Sequence, residues 1–240
     1  MAKLHTVLLN VFLHPLRTLN NLDRQFWKSP VMSRFLTRQF HKMYYDTEKR
    51  TWGNTFWFGV QVNKCPLDLW IYQEILHEVR PDVIIECGTA AGGSAMYLAN
   101  MLDIMGKGKV LSVDINPFDG RPKHPRVTYI LGSSTADDVV EQVKSHIAPS
   151  DTVLVILDSD HSMRHVYNEL RIYSKLVQPG SYVIVEDSNQ NGYPVSPFYG
   201  PGPMEALEKF VAEDASFTID LSREKFYLTF NPRGYLKRIK

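Results

Sequence analysis

Two rhythms of apolar residues organise this chain. From Asp82 onward, short continuous apolar runs alternate with stretches in which apolar residues return every three or four positions. The runs are "VIIEC", "KVLSVDI", "RVTYILG", "DTVLVILD" and "GSYVIVED". They are rich in β-branched residues and show no polar face, as expected of strands covered on both sides. The helical period appears in "SAMYLANMLDIM", "TADDVVEQVKSHI", "HSMRHVYNELRIYSKLV" and "GPMEALEKFVAE". Ser134 or Thr135 is placed to cap the second of these. "SFTIDLS" and "KFYLTFN" predict an antiparallel hairpin around Ser222 to Glu224. Strands alternating with helices over short connections predict an α/β fold. It is a doubly wound, mostly parallel, Rossmann-like sheet with right-handed crossovers, closed by that C-terminal hairpin.

Upstream the rhythm differs. "PLDLWIYQEILHEVRPD" reads as a helix with Leu69, Tyr72, Ile75, Leu76 and Val79 on one face, begun by Pro66 and ended by Pro81. "TWGNTFWFGVQVNKCPLDLW" is loop-like, broken by Gly53, Gly59 and Pro66. Residues 16 to 48 are helical in pattern, aromatic and basic. The apolar stretch Leu8 to Leu13 is interrupted by Asn10 and followed by His14 and Pro15, too short to span a bilayer. A helix packed on the domain or on a second subunit is the reading adopted, with membrane contact as the alternative. The expected division is a helical and loop extension over residues 1–65, a candidate oligomer interface or lid, and a ligand-binding domain over residues 66–240.

Composition changes this picture little. With 27 basic and 26 acidic residues the net charge is +1, which offers no nucleic-acid footprint. Two cysteines, Cys65 and Cys87, make no disulfide framework, so a reduced, cytoplasmic setting is expected.

The acids carry more. Glu86, Asp114, Asp158, Glu186 and Asp187 all fall at the ends of predicted strands. Ligands of open α/β sheets sit beyond those ends. The loop after the first strand, "ECGTAAGGS", has Gly88 and Gly92 four apart with alanine at position 90, so it lacks the G-x-G-x-x-G that approaches a pyrophosphate. Gly93-Ser94 also lacks the lysine of a phosphate-binding P-loop. An acid followed by G-x-x-x-G instead resembles S-adenosylmethionine-dependent methyltransferases. Glu86 would face the ligand's ammonium, and amides around Gly88, Thr89, Gly92 and Ser94 its carboxylate. Asp114 is placed to accept the ribose hydroxyls, and Ser133 and Ser134 to line the adenine. The alternatives are a tight turn for the glycines, a carboxylate satisfied by loop amides for Asp114, and an N-cap for the serines.

"VILDSDHS" and "VIVEDSN" form a second group. Asp158, Glu186 and Asp187 suit a hard divalent cation such as Mg²⁺, with Asp160 a weaker candidate. Helix capping and a loop start are the alternative. His161 is a candidate base and His165, one turn later, scaffold. "NQNGYPVSPFYGPGP" reads as a lid or pocket wall.

"TWGNTFWFGV…KCPLDLWIYQEIL…RPDVIIECGTAAGGSAMYLA" and "LDSDHS…GSYVIVEDSN" resemble the cephalosporin hydroxylase family over roughly residues 50 to 230. That family has a methyltransferase fold and includes rhamnosyl O-methyltransferases. The resemblance implies S-adenosylmethionine binding, with Asp158 beside the cofactor as well as the metal. It implies Asp158, Glu186 and Asp187 as metal ligands and His161 as the base, where related catechol-type enzymes carry lysine. The expected activity is metal-dependent O-methylation of a sugar or small natural-product hydroxyl. The alternative is a cofactor-binding accessory of a hydroxylase.

Overall fold

The structure is a computed structural model that describes residue 26 and residues 28–240. The expected N-terminal contacts of residues 1–25, with the domain, a second subunit or a membrane, lie outside the described residues. No helix among the described residues is long and apolar enough to cross a membrane. The chain divides between Met43 and Tyr44 into two compact units. Helix α1, Pro30–Asp46, runs across that division.

The second unit carries, after two short 3₁₀ turns, a two-stranded antiparallel ribbon, β1 (Phe56–Trp57) and β2 (Val60–Gln61), and helix α2 (Pro66–Val79). Seven strands then make one sheet: β3 (Val83–Cys87), β4 (Lys109–Asp114), β5 (Val127–Leu131), β6 (Val153–Leu157), β7 (Tyr182–Val185), β8 (Phe217–Ile219) and β9 (Tyr235–Arg238). Between them run α3 (Gly93–Met105), α4 (Asp137–Ser145), α5 (Met163–Tyr173) and α6 (Pro203–Glu213). The sheet order is β5-β4-β3-β6-β7-β9-β8. The first five are parallel; β9 is antiparallel to both β7 and β8. This is the doubly wound Rossmann-like sheet the periodicity predicts. Chain order reverses at β3, with β4 on one side and β6 on the other, so the carboxyl ends of β3 and β6 flank the switch point.

Strand alternation sorts the core into two layers. Val83, Ile85, Val153, Val155 and Val183 pack against α4, α5 and α6. Ile84, Val110, Leu154, Ile156 and Ile184 pack against α2 and α3. Each fully buried branched side chain contributes roughly 1.5–3 kcal/mol. The central strands are buried along their whole length, so the stability sits there and the loops at their ends are free to carry chemistry.

Two local expectations are corrected. "KFYLTFN" is not a strand: β8 pairs with Tyr235–Arg238, and residues 221–224 form a 3₁₀ turn. Leu228 and Phe230 are instead buried against Cys65 in a satellite cluster, and Asp68 Oδ2 accepts the Phe230 N–H at 2.8 Å. Neither Ser134 nor Thr135 caps α4, whose N-cap position is Ala136. Ser134 is drawn away by a buried carboxylate described below.

Gly93 opens α3 with the chain of β2 lying directly on it. A Cβ there would sit 2.1 Å from the Gln61 carbonyl oxygen. We expect Gly93→Ala to destabilise the protein by about 1–3 kcal/mol through this overpacking, read from urea unfolding midpoints. An unchanged midpoint would show that the residue 61–62 strap is not seated there.

Candidate active site

The ladder of β3, β4, β6 and β7 continues one residue beyond the strands. Gly88 N donates to Val113 O at 2.8 Å, Asp158 N to Cys87 O at 2.7 Å and Glu186 N to Leu157 O at 2.9 Å. Gly88, Asp158 and Glu186 are therefore held in register at one sheet edge. Gly88 is required for this: its φ is +97°, and a Cβ would lie 1.9 Å from the Asp158 carbonyl oxygen.

A cavity of about 700 Å³ opens above these ends. Of the residues expected to hold a cofactor, Gly88, Thr89, Ser94, Asp114, Ser133, Ser134 and Asp158 line it. Glu86 and Gly92 do not. Glu86 is wholly buried below the loop, where its Oε2 accepts the Ser112 hydroxyl at 2.6 Å. Gly92 takes the left-handed N-cap position of α3 and faces Pro122, Tyr129 and Arg121. Asp114 is cradled by amides: its Oδ2 accepts from Thr89 N and Ala90 N, each at 2.9 Å, and its Oδ1 accepts from Asn116 N at 2.8 Å. Arg121 lies 3.2 Å from Oδ2. Burial opposes the charge of Asp114, but these donors outweigh it and hold its carboxyl below the usual range. Oδ1 keeps an acceptor site for a hydroxyl.

The cavity also takes Val62, Asn63, Asn116 and His165, which periodicity did not single out. His165 belongs to a buried group around Glu169. Glu169 Oε1 accepts the hydroxyls of Ser134 at 2.5 Å and Ser159 at 2.6 Å, and His165 Nε2 lies 3.3 Å from it. The i, i+4 spacing of His165 and Glu169 on α5 was a visible signal.

The acids at the rim separate into two sets. Ligand atoms of Asp158, His161 and Asp187 lie within 4.8 Å of one another. His161 Nε2 is 3.3 Å from Asp187 Oδ2 and 4.0 Å from Asp158 Oδ1. Asp187, at φ +54°, is steadied by Gln190 Nε2 at 2.9 Å, and its own N–H donates to Asn231 Oδ1 at 3.3 Å. Glu186 stands apart, turned inward. The Lys64 ammonium donates to its Oε1 at 2.5 Å and the Tyr72 hydroxyl to the same oxygen at 2.6 Å. Lys64 also donates to Asp158 Oδ2 at 2.7 Å. Burial and the neighbouring Asp158 push the Glu186 carboxyl upward, against the pull of Lys64. Burial opposes the ammonium, and the charges of Asp158 and Glu186 overcome it. Asp160 is exposed, with Oδ1 accepting the Ser162 N–H at 2.7 Å. It serves the turn before α5, whose N-cap is Ser162.

Two carboxylates at the edge of the cavity, with an imidazole beside them, fit a hard divalent cation that retains open positions. Asn189 to Pro203 follows this turn; Phe198 is 97% exposed and Tyr193 and Tyr199 are exposed too. Burial, then the charges of Asp160 and Asp187, raise the Tyr199 phenol above its ordinary range.

The family described as Rhamnosyl O-methyltransferase/CmcI matches residues 49–239. The chain is 40% identical to the Rhamnosyl O-methyltransferase of Mycobacterium leprae (strain TN) over 210 residues, 85% of this chain and 90% of that protein. It is 41% identical over 211 residues to the protein of the same name from Mycobacterium tuberculosis (strain ATCC 25618 / H37Rv), covering 85% of each. Among solved structures it resembles apo CmcI, with a TM-score of 0.60 at 24% identity over 78% of this chain and 76% of that one. CmcI with Mg and SAM aligns with a TM-score of 0.60 at 21% identity, over 78% and 77%. These two likenesses concern the fold.

Glu169 raises the pKa of His165, chiefly through their hydrogen bond, while burial opposes it. The stability from this pair is full below the unfolded pKa of about 6.5 and is lost as pH rises through the folded value. An NMR titration of the imidazole should show the raised value in the wild type and its loss in Glu169→Gln. A titration unmoved by that substitution would show that Glu169 does not govern His165.

Proposed function

The chain belongs to the Rhamnosyl O-methyltransferase/CmcI family, and from that premise we propose that this S-adenosylmethionine-dependent O-methyltransferase uses a divalent cation, Mg²⁺ or one like it, to methylate a sugar hydroxyl, with a rhamnosyl-like acceptor as the preferred class. The observation that carries the reading is the double position of Asp158. It lines the cofactor-sized cavity and also faces His161 and Asp187. A methyl donor and an acceptor hydroxyl would thus meet across one residue.

In this reading Gly88, Thr89 and Ser94 hold the amino-acid end of the donor, Asp114 accepts a ribose hydroxyl, and Ser133, Ser134 and His165 border the base. S-adenosylmethionine supplies an electrophilic methyl on sulfur. Asp158 and Asp187 would hold the cation, which would supply Lewis acidity at the acceptor site. His161 takes the hydroxyl proton at Nε2, the nitrogen that faces both carboxylates. The oxygen then forms its bond to the methyl carbon as the carbon–sulfur bond breaks, so the protein's main task is alignment. Tyr199 and Phe198 offer ring faces to a pyranose. The catalytic domain of this reading is larger than residues 66–240, because Val62 and Asn63 supply part of the cavity wall.

Calorimetry should show S-adenosylmethionine binding, weakened about tenfold or more by Asp114→Ala. Transfer of labelled methyl to a rhamnoside should require Mg²⁺ and stop on adding a chelator. Asp187→Ala should abolish transfer while sparing donor affinity, and His161→Ala should slow it by roughly 10²–10⁴-fold. Full transfer by Asp187→Ala, or transfer indifferent to chelator, would remove the cation from the reaction. Donor binding without transfer to any glycoside would favour an accessory role.

A further inference from the structure

Lys64 is 4% exposed, yet lysine is almost never buried without paired charge. Its ammonium sits between Asp158 Oδ2 and Glu186 Oε1, at 2.7 and 2.5 Å. It does not come from the sheet. It comes from the strap that follows β2, and that strap is pinned: Gln61 O lies against Gly93, Val62 N donates to Thr55 O at 2.9 Å, and Val62 and Cys65 are buried. The ammonium is therefore delivered to a fixed place at the ends of β6 and β7.

We propose that Lys64 is the resident counter-cation of the ion site, a positioning residue that competes with the incoming divalent ion and sets its affinity. This rests on the cation reading of Asp158 and Asp187 given above. Asp158, Glu186 and Asp187 bring three carboxylates to two neighbouring strand ends, with one imidazole among them. Without an ion they would repel one another. Lys64 offsets one of those charges before any ion arrives. It also divides the work of Asp158: Oδ2 is held by the ammonium, and Oδ1 is left facing His161. Glu186, tied to Lys64 and Tyr72, is kept out of the cluster formed by Asp158, His161 and Asp187. The ion consequently meets a site of reduced negative charge, which favours an exchangeable ion over a locked one.

The test is magnesium chloride titrated calorimetrically into the full chain, wild type and Lys64→Met, with melting followed in parallel. Lys64→Met keeps an unbranched side chain, one atom shorter, and removes its charge. It should bind Mg²⁺ at least about tenfold more tightly. It should also melt lower than wild type without the ion and regain more on adding it. A merely structural role for Lys64 predicts the reverse, since a damaged site binds its ion more weakly. Equal or weaker Mg²⁺ binding by folded Lys64→Met overturns the proposal. Should Lys64→Met fail to fold, Lys64→Met/Glu186→Gln is compared with Glu186→Gln alone. That pair isolates Lys64 acting on Asp158 and should show the same gain; no gain overturns the proposal. The two readings fail differently. Wild type that binds Mg²⁺ with Lys64→Met unchanged removes only the role of Lys64. No Mg²⁺ binding in either protein removes the cation reading and the proposal with it.

Discussion

The site depends on one close approach of backbone to backbone. Gly88 and the carbonyl of Asp158 are so near that no side chain can stand between them. This contact is a consequence of parallel register: β3 and β6 are neighbours, and their hydrogen-bond ladder runs past the last strand residue. It forces the glycine loop and the acidic loop to share a wall. Asp158 can then belong to the cavity and to the acid cluster at once, which is what a group transfer between two bound molecules requires. A larger residue at 88 would part the loops and leave two half-sites.

Burial settles what each of the strand-end acids does. A carboxylate taken from water is costly unless it is paired or hydrogen-bonded. Glu86 lies beneath the loop, its Oε2 accepting the Ser112 hydroxyl and its buried Oε1 making no hydrogen bond among the described residues, and Asp114 rests in a cradle of amides with Arg121 across it. Glu186 is closed off by Lys64 and Tyr72. Asp158 and Asp187 alone among these five share an imidazole at the cavity rim. The five acids look equivalent as letters at strand ends, but their partners divide them into groups held in different ways.

That division marks the limit of what could be read from the chain. Periodicity locates every strand of the parallel sheet and the helices between them, because each is buried on a face its own residues define. The glycine loop and part of the cavity lining follow from local spacing, as do Asp158, His161 and Asp187. The inward turn of Glu186 does not. It is caused by Lys64, 122 positions away, and Tyr72, 114 positions away. A lysine between two breakers in a loop-like stretch carries no period, so its burial depends on pairing that only the folded chain creates. His165 was obscured differently. Its spacing to Glu169 is local, but only the fold reveals that Glu169 is buried and that Ser134 and Ser159 converge on it.

The misplaced strand has the same origin. "KFYLTFN" alternates well enough to pair as an edge strand. Its backbone groups are claimed elsewhere. Phe230 N donates to buried Asp68, and Phe230 O accepts from Asn189 N at 3.1 Å. Asn231 accepts the Asp187 N–H through its side chain and donates to the Tyr72 hydroxyl at 3.2 Å. Ser188 Oγ donates to Pro232 O at 2.7 Å. Residues 230–232 thus brace the turn that carries Glu186 and Asp187. That turn needs the brace because its residues point in opposite directions and Asp187 sits at positive φ, a conformation an unsupported loop would leave. A ladder strand spends its N–H and C=O groups on neighbouring strands and has none left for a turn. The segment was given up as a strand so that the two acids could be held apart.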